Sequence, residues 1–284
     1  KIGVMNSFDI KRFGKALRWM ISVNFRSLLM WTLGLTLGVA MGELMVRAMI
    51  QTTTPQETHT TGILGGFFVV YIIIGVVVGI CNLFVELDKK PRRQAFLMLP
   101  ATNLEKFLAA TVFATVSGFV MMHLSFIVGD TLRVVFRALF YGDSWNSFVF
   151  PEVVKMMTFD GIGVHHTLGY RLMGLVFLVC GLTWVHSFYT LGGTLFRKYA
   201  FVISSIALVV GVTLLVWFSK NHEVRLFVTN YEKGVIVTEQ IGIITYILTA
   251  FFAVFSIVNY WLSFHIFKGF ELITNKWMNY DFYK

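Results

Sequence analysis

Four titratable side chains lie inside apolar segments that are long enough to cross a bilayer: Glu43, His123, His186 and His265. Placing an ionisable group at the centre of a membrane helix costs roughly 2–3 kcal/mol on insertion scales, so such residues are candidates for a proton or substrate pathway. For Glu43 and His123 the alternative is a structural hydrogen bond, or a side chain that extends to the membrane interface.

Two of these side chains are expected at the same depth in the membrane. Glu43 lies sixteen residues beyond Ser27, and His123 lies sixteen beyond Phe107, where we expect two helices to enter from the inner side. At about 1.5 Å per residue, both side chains lie roughly 24 Å from that side. We therefore expect that Glu43 and His123 could meet near the outer face.

The remaining histidines do not form a metal-binding pattern. His186 lies nearer the middle of the membrane and His265 at its inner end, and histidines at different depths cannot converge on one ion. His165 and His166 are adjacent, so on a helix they point in different directions. No His-Glu-x-x-His motif is present. The sequence predicts no catalytic residue, no metal site and no cofactor.

Composition indicates a membrane protein. Of 284 residues, 56% are hydrophobic and 14% are charged, whereas a soluble domain has roughly a quarter charged residues. Its apolar runs are continuous over about twenty residues, unlike the alternating strands of a barrel. The sequence therefore predicts an all-α, polytopic transmembrane helical bundle. The net charge of +9 fits basic cytosolic loops, so nucleic acid is not an expected partner.

We predict a basic amphipathic helix within residues 1–26, followed by a single transmembrane domain over residues 27–284. Phe13 and Leu17 share one helical face, and Lys11 lies on the other. That pattern is typical of a helix that lies on membrane lipid before the chain turns inward. About six spans follow, at residues 27–50, 63–85, 107–129, 172–196, 199–218 and 241–267.

Basic residues predict the orientation. With a cytosolic loop at 86–106 and an outer segment at 130–171, sixteen Lys and Arg lie on the inner side and eight on the outer side. This bias predicts that both termini are cytosolic. Within the outer segment, an apolar stripe that begins at Leu132, beside Arg133, predicts an interfacial helix.

Small residues recur at every fourth position in the first two spans, which allows helices to approach closely. The glycines are Gly34, Gly38 and Gly42 in the first span and Gly75 and Gly79 in the second. They predict a helix–helix interface, within this chain or with a second copy. Cys81 and Cys180 lie in different spans, so we expect no disulfide. We expect the natural start at Met5, with Lys1–Val4 as an upstream extension.

The loop at 86–106 is the densest cluster of charge in the chain and the expected place to meet a soluble partner. Pro91 and Pro100 limit its backbone freedom. Leu97 and Leu99 offer an apolar contact. The side chains expected to pair with a partner's charges are Arg92, Arg93, Glu105 and Lys106. The alternative is a basic loop that sets topology and has no partner.

Two segments of the chain resemble a known family. Arg93-Gln-Ala-Phe-Leu-Met-Leu-Pro-Ala-Thr-Asn-Leu-Glu-Lys-Phe107 resembles the cytosolic segment of type-2 ABC exporter permeases, which carry a Leu-Pro-(Ala/Val)-(Ser/Thr) turn after the second span. Gly192-Gly-Thr-Leu-Phe-Arg-Lys-Tyr-Ala-Phe201 is similar to permease-related membrane proteins of the Bacteroides group.

The resemblance implies a membrane subunit, not itself an enzyme, that forms a homodimer or pairs with a related subunit. It also implies coupling to a separate cytosolic ATP-binding-cassette ATPase, since this chain has no Walker A motif. One alternative is a non-transporting scaffold or accessory subunit of a larger membrane assembly. Another is a secondary transporter that moves protons through Glu43 and His123.

Overall fold

The structure, a computed structural model, describes residues 8–51, 57–81, 90–142, 148–158, 167–196, 199–221, 226–232 and 235–269. These residues form eight helices and one two-stranded sheet. The elements are α1 (Ile10–Gln51), α2 (Glu57–Cys81), α3 (Lys90–Leu97), α4 (Asn103–Tyr141), α5 (Phe150–Thr158), α6 (Leu168–Leu195), α7 (Ala200–Asn221), β1 (Phe227–Glu232), β2 (Val235–Ile241) and α8 (Ile243–Lys268).

Five of the described helices are long and apolar enough to cross a membrane, namely α1, α4, α6, α7 and α8. The predicted class, a helical multi-pass membrane protein, is confirmed at this level. A shorter apolar helical stretch, Ile63–Gly75, lies in α2 where the second span is predicted.

Two helices are longer than the sequence predicted. α1 has 42 residues and is one continuous helix where we expected a surface helix to turn into a span near residue 26. α4 has 39 residues and joins the predicted third span to the stripe that we assigned to a separate interfacial helix. At 1.5 Å per residue each is about 60 Å long, roughly twice the hydrocarbon thickness of a bilayer. Neither segment contains a proline, the residue that would break an interior turn.

The chain divides into two compact units. Unit 1 comprises Lys1–Leu17, Val77–Val112 and Val164–Lys284, and unit 2 comprises Arg18–Val76 and Phe113–Gly163.

In unit 2, α1 and α4 run parallel and α2 runs antiparallel to α4. Ser125 Oγ donates to the Thr32 carbonyl over 3.2 Å, and further along both helices Glu43 forms an ion pair with Arg133. The contacts between α2 and α4 run in opposite order along the two helices. The rings of Phe68 and Phe126 are 4.4 Å apart, whereas Gly75, later in α2, faces Met122, earlier in α4. The core of this unit consists of Val39, Leu64, Phe68, Phe126, Val149 and Val153.

In unit 1, α6 and α8 run parallel, with α7 antiparallel to α6. The rings of Trp184 and Phe252 stack at 5.1 Å, and later in both helices Asn259 Nδ2 donates to Ser187 Oγ over 3.2 Å. Tyr189 and Ser205 share a hydroxyl hydrogen bond of 3.0 Å between α6 and α7.

The sheet is a difference from the predicted all-α class. β1 and β2 form an antiparallel hairpin in the segment that we assigned to an outer loop, with Phe227 opposite Ile241. The strand sequence Val-Ile-Val-Thr-Glu-Gln-Ile is rich in β-branched residues, which favour a strand. The ring of Phe227 packs edge-on against Phe177 at 5.8 Å, so the hairpin contacts the first half of α6.

Candidate functional site

α3 forms an amphipathic surface within the segment predicted to meet a soluble partner. Its buried face contains Arg93 and Phe96. Its exposed face, which we call the α3 face, consists of Pro91, Gln94, Ala95 and Met98. Met98 is 83% exposed, a high value for a large apolar side chain.

Of the four charged residues predicted to pair with a partner, three are buried: Arg93, Glu105 and Lys106. Glu105 is 0% exposed and Lys106 is 5% exposed. Lys106 Nζ donates to the Leu97 carbonyl oxygen over 2.6 Å. A cation at the last carbonyls of a helix interacts favourably with the helix dipole, so Lys106 fixes the end of α3 to the start of α4.

Glu105 joins the start of α4 to the start of α1. Its Oε2 accepts from the Thr102 backbone N–H at 2.8 Å, and its own N–H donates to Thr102 Oγ1 at 3.2 Å. This reciprocal arrangement is a capping box. The other oxygen, Oε1, accepts from the Asp9 N–H at 2.8 Å and from Arg12 Nη2 at 2.9 Å. The sequence Thr-Asn-Leu-Glu carries the capping-box signature, a signal that the sequence interpretation did not use.

Aromatic rings complete this junction and add the end of α8. The Phe107 ring lies 5.5 Å from both Phe264 and Phe267, and Phe96 of α3 lies 6.2 Å from Phe267. Within unit 1, the start of α4 therefore contacts the start of α1, the end of α3 and the end of α8, and α3 also contacts α8. We call this set of contacts the junction.

The other predicted residues of this segment lie beside the junction. Arg92, Leu97 and Leu99 are half-buried, and Pro100 is exposed. Residues 86–89 lie outside the described residues.

Glu43 belongs to a buried ionic cluster in unit 2. It is 1% exposed, and its Oε2 forms an ion pair with Arg133 Nε. Arg133 also pairs with Asp130 Oδ1 through Nη2 at 2.5 Å. Asp130 Oδ2 accepts from the backbone N–H groups of Val149 and Phe150, which lie at the start of α5. The cluster therefore joins α1, α4 and α5.

The structure gives Glu43 a partner other than the one that depth arithmetic suggested. His123 Nδ1 lies 2.8 Å from the Phe119 carbonyl oxygen, and its ring lies 3.9 Å from the Phe119 ring. His186 Nδ1 lies 2.5 Å from the Tyr260 hydroxyl, between α6 and α8. His265 stacks on Trp261 at 5.7 Å. His165 and His166 lie outside the described residues.

The predicted glycine interface is divided between packed and open positions. Gly75 faces Met122 of α4, and a Cβ added there would lie 1.3 Å from Met122 Cε. Gly34, Gly38 and Gly42 have no atom within 4 Å of an added Cβ. Gly79 is half-buried in α2.

The open glycines line a groove between α1 and α2 with a volume of about 270 Å³. Its apolar walls include Leu35, Val39, Leu64, Phe67 and Phe68, and its polar lining residues are Glu43 and Tyr71. We call it the α1–α2 groove. A small opening that is mostly apolar with a few polar groups has the character of a ligand site.

Across the part of the chain that the structure describes, no group of three His, Cys, Asp or Glu side chains could hold a metal ion. Cys180 is a free thiol.

No protein-family model, curated protein or solved structure matches this chain.

Proposed function

We propose that this chain is a permease-like subunit of an ATP-driven exporter in a bacterial inner membrane. In this proposal the α3 face binds a separate cytosolic ATP-binding-cassette ATPase, and the chain pairs with a second copy or a related membrane subunit. The observation that carries the proposal is the junction, where an exposed surface helix contacts two long helices, α4 and α8, and α4 in turn contacts α1.

The helix directions support six spans with both termini cytosolic. α1 and α4 are parallel, so the chain has to return between them, and α2 is antiparallel to α4. α7 is likewise antiparallel to α6, while α8 is parallel to it. The start of α1, the start of α4 and the end of α8 share the junction, and most basic residues were assigned to that same side. Alternating directions and a shared end agree with the bias in positive charge.

The contacts of α3 provide a route for mechanical coupling. Movement of the α3 face shifts the Leu97 carbonyl at the end of α3. Because Lys106, at the start of α4, donates to that carbonyl, the movement reaches α4. The ring of Phe96 transmits the same movement to Phe267 in α8. Interfaces packed in this way tend to switch between arrangements rather than deform smoothly. ATP hydrolysis in the partner would thus reorient several spans together.

A non-transporting scaffold is the second candidate, favoured by one observation. The four residues of the α3 face carry no charge. Glu105 and Lys106, in the neighbouring α4, form hydrogen bonds within the chain. An uncharged face suits contact with another membrane subunit, because charged residues are depleted at the cores of protein interfaces. The secondary-transporter alternative loses support, since Glu43 pairs with Arg133 rather than with His123.

The test is affinity purification of the full chain in mild detergent, comparing wild type with Ala95→Glu/Met98→Glu. Both side chains are exposed, so the variant retains the buried contacts of α3. The matched control is Lys11→Glu/Lys15→Glu, which changes two exposed residues near the start of α1. We expect an ATP-binding protein to co-purify with wild type and the control, and not with the α3 variant.

Two results would contradict the exporter proposal. Recovery of a stable set of other membrane proteins without any ATPase would favour the scaffold. Retention of the ATPase by the α3 variant would show that the α3 face is not the coupling surface.

A further inference from the structure

The α1–α2 groove contains a polar atom whose bonding the described residues leave incomplete. Glu43 is 1% exposed and shares the Arg133 guanidinium with Asp130, whose carboxyl lies beside it. No described residue donates a hydrogen bond to Glu43 Oε1. The hydroxyl of Tyr71, a second lining residue, is likewise buried without a partner within the described chain. A buried polar group without a partner costs about 1–3 kcal/mol, and more when charged.

The groove is also open along its glycine side. Gly34 and Gly38 are exposed, and an added Cβ at either would have no atom within 4 Å. Neighbouring residues of α1 on the same surface, Leu33 and Leu37, are exposed and apolar. In a membrane helix such a surface faces lipid chains, so the groove can be entered from the bilayer.

We propose that the α1–α2 groove binds a bilayer lipid whose head group carries a protonated primary amine. The ammonium donates a hydrogen bond to Glu43 Oε1, and one acyl chain lies along Gly38 and Gly34 against Phe67 and Phe68. A charged donor is the natural complement of a carboxylate, because charge-assisted hydrogen bonds are about twice as strong as neutral ones. This inference is independent of any ATPase partner.

The geometry along α1 agrees with that orientation. Glu43 is nine residues beyond Gly34, or about 14 Å along the helix axis. In the proposed six-span topology Glu43 lies nearer than Gly34 to the outer face, where lipid head groups are found. A lipid can therefore place its head at Glu43 and its chain beside the glycines without leaving its normal depth.

The test is native mass spectrometry of the full chain in detergent, titrated with phosphatidylethanolamine or with phosphatidylcholine of the same acyl chains. The two head groups carry the same charges, but only the first has N–H donors. We expect phosphatidylethanolamine to bind wild type at least about tenfold more tightly, the effect of one hydrogen bond to a charged group. Equal binding of the two lipids would overturn the proposed head-group contact.

Two variants locate the site. An added Cβ at Gly38 meets no atom within 4 Å, so Gly38→Leu directs its side chain into the groove and should abolish selective binding of phosphatidylethanolamine. The matched control is Gly211→Leu, an equally open glycine on α7, and it should bind like wild type. Glu43→Gln should bind the two lipids equally, since the anion is removed and the apolar walls remain.

Retained selectivity in Gly38→Leu would overturn the proposal. So would conversion of a wild-type dimer into a monomer by Gly38→Leu with no change in bound lipid, which would assign the groove to a second copy of the chain.

Discussion

At the scale of single residues, the buried ionic cluster is the main constraint on unit 2. Removing one partner of a buried pair is costly because a charge remains without compensation. Arg133 contacts Glu43 from α1 and Asp130 from its own helix, and Asp130 holds the start of α5. The cluster therefore links α1, α4 and α5 through buried charged side chains.

Arg133→Gln should destabilise the protein by about 3–5 kcal/mol, because two buried carboxylates lose their shared cation. Glu43→Gln should cost less, since its amide oxygen still accepts from Arg133 and Asp130 remains paired. Thermal unfolding in detergent, followed by loss of the monodisperse species, would rank the two variants. The control is Arg26→Gln, an exposed arginine of α1, with an expected change within about 0.5 kcal/mol. Equal losses for Arg133→Gln and Arg26→Gln would show that the cluster carries no stability.

Glu43 could be selected from the sequence, but its partner could not. The cost of a carboxylate inside an apolar run singles it out, whatever the fold. Counting residues along a helix gives the depth of a side chain in the membrane but not its direction around the helix axis. The count therefore could not decide whether His123 or Arg133 faces Glu43. Arg133 was also assigned outside the membrane, because the predicted third span ended at residue 129. The continuous α4 helix is what brings Arg133 opposite Glu43.

At the scale of helices, close packing depends on a glycine outside the predicted set. A Cβ at Gly129 would lie 2.6 Å from Val39 Cγ1 and 3.0 Å from the Thr36 backbone oxygen. Backbone cannot move aside as a flexible side chain can. Four-residue spacing identified Gly34, Gly38 and Gly42, whereas Gly129 has no such pattern, so spacing alone did not reveal which glycine is in contact.

Gly129→Ala should therefore destabilise the chain by about 1–3 kcal/mol through overpacking. Gly38→Ala, on the same pair of helices but in open space, should change stability by no more than about 0.5 kcal/mol. Unfolding midpoints in one detergent would compare them directly. The reverse order, with Gly38→Ala the more damaging, would contradict this account of the packing and would mean that another protein chain packs tightly on Gly38.

The start of α4 offers a second test at this scale. Glu105→Ala removes the capping box and the contacts with Asp9 and Arg12, and loss of a cap alone typically costs about 1 kcal/mol. Hydrogen exchange in a peptide covering residues 8–20 should become faster in this variant. Glu105→Gln should retain most protection, because glutamine also closes a capping box.

The matched control for this experiment is Lys15→Ala, an exposed residue of α1. Unchanged protection in Glu105→Ala would mean that the start of α1 is held by other contacts.

At the scale of the whole molecule, helix directions are the property to test. Met98, on the α3 face, is 83% exposed, and Leu168, at the start of α6, is 73% exposed. In the proposed topology they lie on opposite sides of the membrane. We expect a membrane-impermeant maleimide to label Leu168→Cys in intact spheroplasts and Met98→Cys only after lysis, with Cys81 and Cys180 replaced by Ala. Labelling of both in intact spheroplasts would exclude the six-span topology.

Membrane class was predictable at this scale because it follows from average hydropathy over long runs. The hairpin and the continuity of α1 were not. The change from a basic amphipathic segment to an apolar run near residue 26 suggested a turn. Such a change describes the surroundings of a helix and does not break it. The short strands β1 and β2 span six and seven residues, too few to stand out beside helices of 22 or more.

The pairing of Glu43 with Arg133 has a consequence for membrane insertion, because the two residues are synthesised at different times. Arg133 leaves the ribosome ninety residues after Glu43, which at roughly 5–20 residues per second is a delay of about 5–18 seconds. During that interval the first helix has entered the membrane with a carboxylate whose partner has not been made. Until α4 is synthesised, α1 must be retained in the bilayer by its own apolar residues or by the insertion machinery. Formation of the ionic cluster then removes the need for that machinery.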